Sequence, residues 1–217
     1  MRILVVGMGL IGGSICKSIK AATSHAVYGC DVQQAVLDDA IADGAIDGTG
    51  TMTDSTYDMI ILCLHQRIAI QMVQEALPKI PTGTILVDTC GLKGRMVRDL
   101  TYRCRKAGVR YVGTHPMAGR EKNGYYASIS NLFQNANLIV TPVDGTDEAA
   151  LDTVKELADQ MGFGKIVTAT PMWHDNMIAY TSQLAHVVSS SYVKDFCMDD
   201  ALSFSGGSFQ EFIILQK

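Results

Sequence analysis

The chain has 217 residues, of which 47% are hydrophobic and 18% are charged, with a formal net charge of −4. This length allows one domain or two, and the apolar content is sufficient for a full core. No basic patch is visible, which argues against a nucleic-acid partner, and no apolar run reaches the ~18 residues that a membrane helix needs. The six cysteines are scattered without a C-x-x-C pair, which favours buried reduced thiols in a cytoplasmic protein.

The first 31 residues combine a strand, a glycine turn, a helix, a second strand and an acid, in the order that a dinucleotide site requires. We expect Gly7 to allow the tight turn, Gly9 to let the backbone approach a pyrophosphate, and Gly12 to bring the helix close to the strand. The amides at the start of that helix favour an anionic group. The predicted contacts with the cofactor are Gly7, Gly9, Leu10, Ile11, Gly12, Asp31 and Leu64.

The acid of this motif favours NAD over NADP. Asp31 lies nineteen residues after Gly12, where a carboxylate can accept hydrogen bonds from both ribose hydroxyls of an adenosine. The same carboxylate would repel a 2′-phosphate. Because the motif begins at residue 7, we also expect no signal peptide.

Short apolar strands alternate with helices through residue 169. The predicted strands after residue 31 cover residues 45–47, 58–64, 84–88, 110–113, 137–141 and 165–169, and the predicted helices cover 36–43, 68–77, 93–107 and 147–161. This alternation predicts a doubly wound, Rossmann-type α/β domain over residues 1–170. A long helix from Pro171 to about Val193 then leads into a second, helical part, residues 171–217.

A polar stretch at residues 114–130 interrupts the alternation directly after the strand at 110–113. It follows a strand, so we expect it at the carboxyl edge of the sheet, where ligands of open α/β folds bind. His115 precedes Pro116, which favours an extended backbone there. Histidine suits proton transfer near neutral pH, although a loop histidine with only a structural hydrogen bond fits the pattern equally well.

A second group of polar side chains lies in the predicted long helix. Ser182 and His186 are four residues apart and share a helix face, and His174 lies near the helix start. The spacing of the two histidines does not match a metal site. From spacing alone, histidines at the helix surface or at an interface are the simpler interpretation.

Taken together, these segments resemble the prephenate/arogenate dehydrogenase family of tyrosine biosynthesis. The matching segments are GMGLIGGS at 7–14, VDTCGLKG at 87–94, THPMAGRE at 114–121, HDNMIAYTSQLAH at 174–186 and SGGSF at 205–209. They occur in the family order and span nearly the whole chain. The H-P-M-A-G segment combined with the later H-D and S-x-L-x-H pattern is far more specific than the glycine motif.

The resemblance implies an NAD-dependent oxidative decarboxylation of prephenate to 4-hydroxyphenylpyruvate, without a metal. The histidine that matches His115 accepts the proton of the ring hydroxyl, while NAD takes a hydride from the carbon that carries it. His174, His186, Ser182 and Gly119 are then expected at the substrate. The resemblance also implies a homodimer paired through C-terminal helices, since the apolar residues of the long helix need a cover.

Two positions depart from the family pattern. Gly91 stands where a serine near the reacting hydroxyl is common, and Ile214 falls where an arginine would grip a substrate carboxylate. The helical domain is also expected to be truncated relative to the family. Two other hypotheses therefore stay open: an NAD-binding relic of the family with little turnover, and another dehydrogenase acting on hydroxy acids or imines.

Overall fold

A computed structural model describes residues 1–54 and 57–193. The chain divides into two compact units, with the boundary between His174 and Asp175. The predictions that concern Cys197, the SGGSF segment and Ile214 lie outside the described residues.

The first unit is built on an eight-stranded sheet with helices between the strands. Its strands are β1 (Arg2–Val6), β2 (Ala26–Cys30), β3 (Gly48–Thr49), β4 (Met59–Leu62), β5 (Ile85–Asp88), β6 (Arg110–Pro116), β7 (Asn137–Val140) and β8 (Lys165–Thr168). Its helices are α1 (Leu10–Ala22), α2 (Gln34–Ala42), α3 (Gln66–Ala76), α4 (Gly94–Lys106) and α5 (Glu148–Gln160). Two short 3₁₀ turns, Leu77–Lys79 and Tyr125–Ala127, complete it.

The strand order β3-β2-β1-β4-β5-β6-β7-β8 confirms the doubly wound sheet. Since the chain moves outward first to one side of β1 and then to the other, a crevice opens at the carboxyl edge between the two halves. All neighbouring strands are parallel except β6 and β7, which run antiparallel. The predicted helices α1, α2, α3, α4 and α5 are present within a few residues of their expected bounds.

Two predicted strands differ from the structure. The short strand expected at 45–47 lies instead at Gly48–Thr49, where it pairs with β2. The strand expected at 110–113 continues to Pro116, because residues 114–116 pair with β7. His115 is therefore a strand residue at the carboxyl end of β6, and not a loop residue.

The core lies on both faces of the sheet. Along β1, Ile3 and Val5 belong to one buried apolar cluster, while Leu4 and Val6 belong to the cluster on the other face. Successive side chains of a strand point to opposite faces, so a strand covered by helices on both sides is apolar throughout. Each such side chain stabilises the fold by about 1.5–3 kcal/mol on full burial. The fixed sheet provides a rigid carboxyl edge for a site.

The second unit begins within the long helix that the sequence predicts. Helix α6 (Pro171–Ile178) is followed by a π-helical segment (Ala179–Gln183) and by α7 (Leu184–Val193). The expectation of one regular helix therefore needs a correction, since the π segment interrupts it. Among the described residues, no helix combines the length and the apolar character needed to cross a membrane.

Candidate active site

The glycine turn between β1 and α1 is closed by backbone packing on one side and open on the other. Gly7 has φ +93°, and a Cβ there would lie 2.5 Å from the carbonyl oxygen of Cys63. A Cβ on Gly12 would overlap the carbonyl oxygen of Gly7. At Gly9, in contrast, an added Cβ meets nothing within 4 Å. Gly7 and Gly12 thus serve the close packing of turn and helix, while Gly9 borders open space.

The first turn of α1 borders the same open space. Gly9 is the N-cap residue, and no side chain caps the helix there. Leu10 and Ile11 are half-buried at its start. The Leu64 side chain follows β4 and lies beside Gly7, where a Cβ would come within 2.8 Å of its Cδ2. Since amides at a helix start attract anions, this turn fits the pyrophosphate of a dinucleotide.

Asp31 lies at the end of β2 and is held by two backbone amides. Its Oδ2 accepts a hydrogen bond from the Met8 amide at 2.7 Å, and its Oδ1 accepts one from the Gln33 amide at 2.9 Å. The side chain remains partly exposed. The carboxylate is therefore fixed next to the glycine turn, at the place where the sequence predicts contact with the adenosine ribose.

His115 and His174, which are 59 residues apart, are hydrogen-bonded in the structure. His115 Nδ1 and His174 Nε2 are 2.9 Å apart, and their ring planes meet at 65°. His174 is only 1% exposed, whereas His115 is half-buried. One nitrogen of this pair must donate and the other must accept, so the contact favours one tautomer of each ring.

The other ring nitrogen of His115 faces the segment between β5 and α4. A Cβ added to Gly91 would lie 3.7 Å from His115 Nε2 and 3.8 Å from its Cε1. These are ordinary contact distances, so a small side chain would fit there. The Nε2 atom of His115 therefore lies beside Gly91, the position at which the family pattern commonly has a serine.

The remaining predicted substrate residues belong to different elements of the two units. Gly119 is exposed in the segment after β6, with open space where a Cβ would stand. Ser182 is half-buried in the π segment of the second unit, and His186 is exposed on α7. Their roles at the substrate stay predictions.

A buried polar cluster that the sequence analysis did not single out lies next to His115. Lys93 and Asp88 are both 0% exposed, and the Lys93 ammonium binds Asp88 Oδ1 and the carbonyl oxygen of Thr114. The hydroxyl of Tyr111 donates to Asp88 Oδ2 at 2.6 Å. Burial, with the Asp88 charge next, raises the pKa of Tyr111, so the phenol stays protonated. An acid at the end of β5 followed five residues later by a lysine was the available signal.

The cysteines of the described residues are all free thiols. Burial raises the pKa of Cys63 and of Cys90 to about 12, so neither forms a thiolate near neutral pH. The described part of the chain also contains no cluster of three or more His, Cys, Asp or Glu side chains that could hold a metal ion. Among the described residues, the histidine pair is thus the group best suited to move a proton at the carboxyl edge.

Residues 15–168 match the family described as "Prephenate dehydrogenase, nucleotide-binding domain". The chain belongs to the prephenate dehydrogenase family. It is 29% identical over 219 residues to a prephenate dehydrogenase of Bacillus subtilis, an alignment that covers 96% of this chain and 58% of that protein. The chain thus spans well under two thirds of that relative's length.

Solved structures of the family share the fold. A prephenate dehydrogenase from A. aeolicus, in complex with hydroxyphenyl propionate and NAD⁺, is 27% identical with a TM-score of 0.83, covering all of this chain and 78% of that one. An arogenate dehydrogenase from Synechocystis is 25% identical with a TM-score of 0.85, covering 99% and 78%. The resemblance found from the sequence motifs is confirmed, and the first unit contains a nucleotide-binding domain.

Proposed function

We propose that this protein is an NAD-dependent oxidoreductase that oxidatively decarboxylates prephenate, or its amino analogue arogenate, in the cytoplasm. The observation that carries the proposal is the hydrogen-bonded pair of His115 and His174 at the carboxyl edge of a nucleotide-binding sheet. The membership in the prephenate dehydrogenase family supports the same chemistry.

The glycine turn and Asp31 fit NAD. The open space at Gly9 admits the pyrophosphate against the first amides of α1. Asp31 offers carboxylate oxygens to the ribose hydroxyls, and its negative charge opposes a 2′-phosphate. When bound, the nicotinamide supplies the hydride acceptor.

His115 then acts as the proton acceptor for the ring hydroxyl of the substrate. With its Nδ1 proton directed to His174 Nε2, its Nε2 lone pair faces the side of Gly91. As the hydride leaves the ring carbon, the hydroxyl proton passes to Nε2 and a carbonyl forms. The bond to the ring carboxylate breaks and carbon dioxide departs. The electron pair of that bond restores the aromatic ring as a phenolate, which takes back the proton from His115 Nε2 and becomes the product hydroxyl. His174 accepts the hydrogen bond of the imidazolium and thereby stabilises its charge.

Ser182, His186 and Gly119 are proposed to hold the substrate, as the family resemblance implies. His186 is exposed and Ser182 half-buried, so both polar groups can meet a ligand or a second chain. Neither Ser182 nor His186 takes part in the proposed hydride or proton transfer. Single replacements of Ser182 and His186 by Ala should raise KM more than they lower kcat.

We further propose that the protein works as a homodimer that pairs through its C-terminal helices. The apolar side chains of Trp173, Tyr180 and Val187 are each more than half exposed along the helices from Pro171 to Val193. Apolar surfaces of this kind mark association sites. Light scattering at micromolar concentration should give twice the mass of one chain, and Val187→Lys should reduce that mass. A monodisperse monomer would remove this part of the proposal.

The alternative is a family relative that binds NAD with little turnover. Product analysis distinguishes an active dehydrogenase from a protein that only binds NAD. With prephenate and NAD⁺, the purified chain should form NADH, carbon dioxide and 4-hydroxyphenylpyruvate in equal amounts. Calorimetric binding of NAD⁺ without any of these products, with prephenate or arogenate, would favour the alternative.

A further inference from the structure

The end of β6 projects beyond its neighbour β5, and Lys93 supports the projecting part. The parallel ladder between β5 and β6 ends at the pair of Asp88 and Gly113. Beyond it, residues Thr114 to Pro116 pair with β7 alone. Among the strands that the structure describes, the edge of β6 that faces β5 therefore has no partner at Thr114, the residue that precedes His115.

The carbonyl group of Thr114 points to that unpaired edge. The Gly113 carbonyl accepts from the Thr141 amide at 2.9 Å and so points to the β7 side. Successive carbonyls of a strand alternate in direction, which directs the Thr114 carbonyl to the opposite side. There it accepts a hydrogen bond from the Lys93 ammonium. The ammonium takes the place of the missing strand donor.

The same ammonium is tied to the segment that carries Gly91. Lys93 is the N-cap residue of α4, two positions after Gly91, and it pairs with Asp88 at the end of β5. Asp88 Oδ1 also accepts from the Cys90 amide at 2.9 Å. The buried pair thus joins the end of β6, which carries His115, to the turn with Gly91, the glycine beside His115 Nε2.

We propose that Lys93 is a positioning residue for His115. The inference deepens the proposed function, on which its catalytic consequence rests. A buried ion pair at this place adds little stability compared with apolar residues of similar volume, because both charges are desolvated. Its use is geometric, because it connects the protruding end of β6 to the turn that precedes α4.

The test uses Lys93→Met and the double variant Lys93→Met/Asp88→Asn. The single variant leaves the Asp88 charge buried without its partner and can fail to fold. The double variant removes both charges while the asparagine oxygen can still accept from the Cys90 amide. In both, the Thr114 carbonyl loses its lysine donor. Thr84→Val is the matched control, because it deletes a buried hydrogen bond to the Tyr57 carbonyl at the opposite end of β5.

The readout that needs no substrate is the long-range ¹H–¹⁵N spectrum of the histidine rings. In the wild type, His115 should show one tautomer, with its Nδ1 engaged by His174. In the folded double variant we expect mixed tautomers for His115, and in Thr84→Val an unchanged pattern. Turnover of the double variant should fall by roughly 10–100-fold, with KM changed less than about threefold and with a shifted pH profile.

An unchanged His115 pattern in the folded double variant would overturn the proposal. Failure of both Lys93 variants to fold would also overturn it, since Lys93 would then be required for folding and not for positioning. If the wild type turns over neither prephenate nor arogenate while the ring spectrum changes as expected, the positioning role stands and the proposed function fails.

Discussion

His115 Nδ1 and His174 Nε2 lie 2.9 Å apart, although His115 lies near the carboxyl end of β6 and His174 lies in the first two turns of α6. The pair engages Nδ1 of His115, and in the proposed reaction the other ring nitrogen, Nε2, is the one that meets the substrate. Since His174 is buried, its ring cannot turn to water for an alternative partner. The contact therefore sets the orientation of the proposed proton acceptor.

Replacing His174 should affect the reaction through His115. In His174→Leu, the Nδ1 of His115 loses its acceptor, and we expect turnover to fall by roughly 10–100-fold, as for other partners that orient a reacting histidine. His174→Gln places an amide oxygen near the position of Nε2, so its turnover should fall less than that of His174→Leu. Steady-state kinetics with matched NAD⁺ calorimetry measures both effects. Equal turnover of the leucine variant and the wild type would show that the pair has no part in the reaction.

Asp31 should determine the choice of cofactor. Its carboxylate is fixed by the amides of Met8 and Gln33, so a 2′-phosphate would meet a negative charge that cannot turn away. The wild type should bind NAD⁺ more tightly than NADP⁺. Asp31→Ala should weaken the binding of NAD⁺ and reduce the difference between the NAD⁺ and NADP⁺ affinities. Asp38→Ala, on the exposed side of α2, should change neither affinity. Equal calorimetric affinities of the wild type for the two cofactors would contradict this assignment.

Much of the first unit could be predicted from the sequence, because its signals are local. The apolar strands, the glycine turn and Asp31 lie within short segments, and the doubly wound α/β architecture follows from the alternation of strands with helices. The extension of β6 to Pro116 could not be predicted in this way, since it depends on pairing with residues 138–140. The cluster around Asp88 was missed for the same reason: Lys93 reaches Thr114 only after two strands have come together.

The histidine pair illustrates the same division within the site. His115 was singled out by its place after a strand, and His174 by a motif, yet no sequence spacing connects the two. Likewise, the residues of the π segment carry no pattern that distinguishes them from the α-helix around them. The periodicity of a sequence predicts local helices and strands, but it does not predict contacts between segments that are distant in the chain.

Gly91 can accept a side chain beside His115. An added Cβ would lie 3.7 Å from His115 Nε2 and would overlap nothing. Gly91→Ser should therefore fold with a stability close to that of the wild type, and its hydroxyl can hydrogen-bond near the reacting group. We expect kcat with prephenate to rise or stay unchanged, while the bulkier Gly91→Val should lower it at least tenfold. A decrease of more than about 1 kcal/mol in the free energy of unfolding of Gly91→Ser would contradict the space seen for a side chain at Gly91.

Cys104 should make the stability fall at alkaline pH. Burial raises the pKa of its thiol from 9.0 to about 12, and the side chain is fully buried. Above pH 9 the unfolded chain releases this proton while the folded chain keeps it. The stabilisation is thus complete below pH 9 and is lost as the pH rises toward 12, at about 1.4 kcal/mol per pH unit.

Urea unfolding of the wild type and of Cys104→Ala between pH 8 and 11 measures this contribution. The difference between the two slopes reports Cys104 together with its small effect on the pKa of Tyr111, which the Cys104 charge raises further. The alanine variant should show the shallower decline above pH 9. Parallel curves across the whole range would mean that the thiol titrates normally in the folded protein.

In the proposed reaction, His115 accepts a proton during an NAD-dependent oxidation at the carboxyl edge of this sheet. The most direct measurement is the rate of NADH formation with prephenate, and with arogenate, for the wild type and for His115→Asn, each with its NAD⁺ affinity. We predict turnover by the wild type with one of these substrates, and a loss of roughly 10²–10⁴-fold in the variant at unchanged NAD⁺ affinity. Near-normal turnover in His115→Asn, or none in a wild type that binds NAD⁺, would contradict the account.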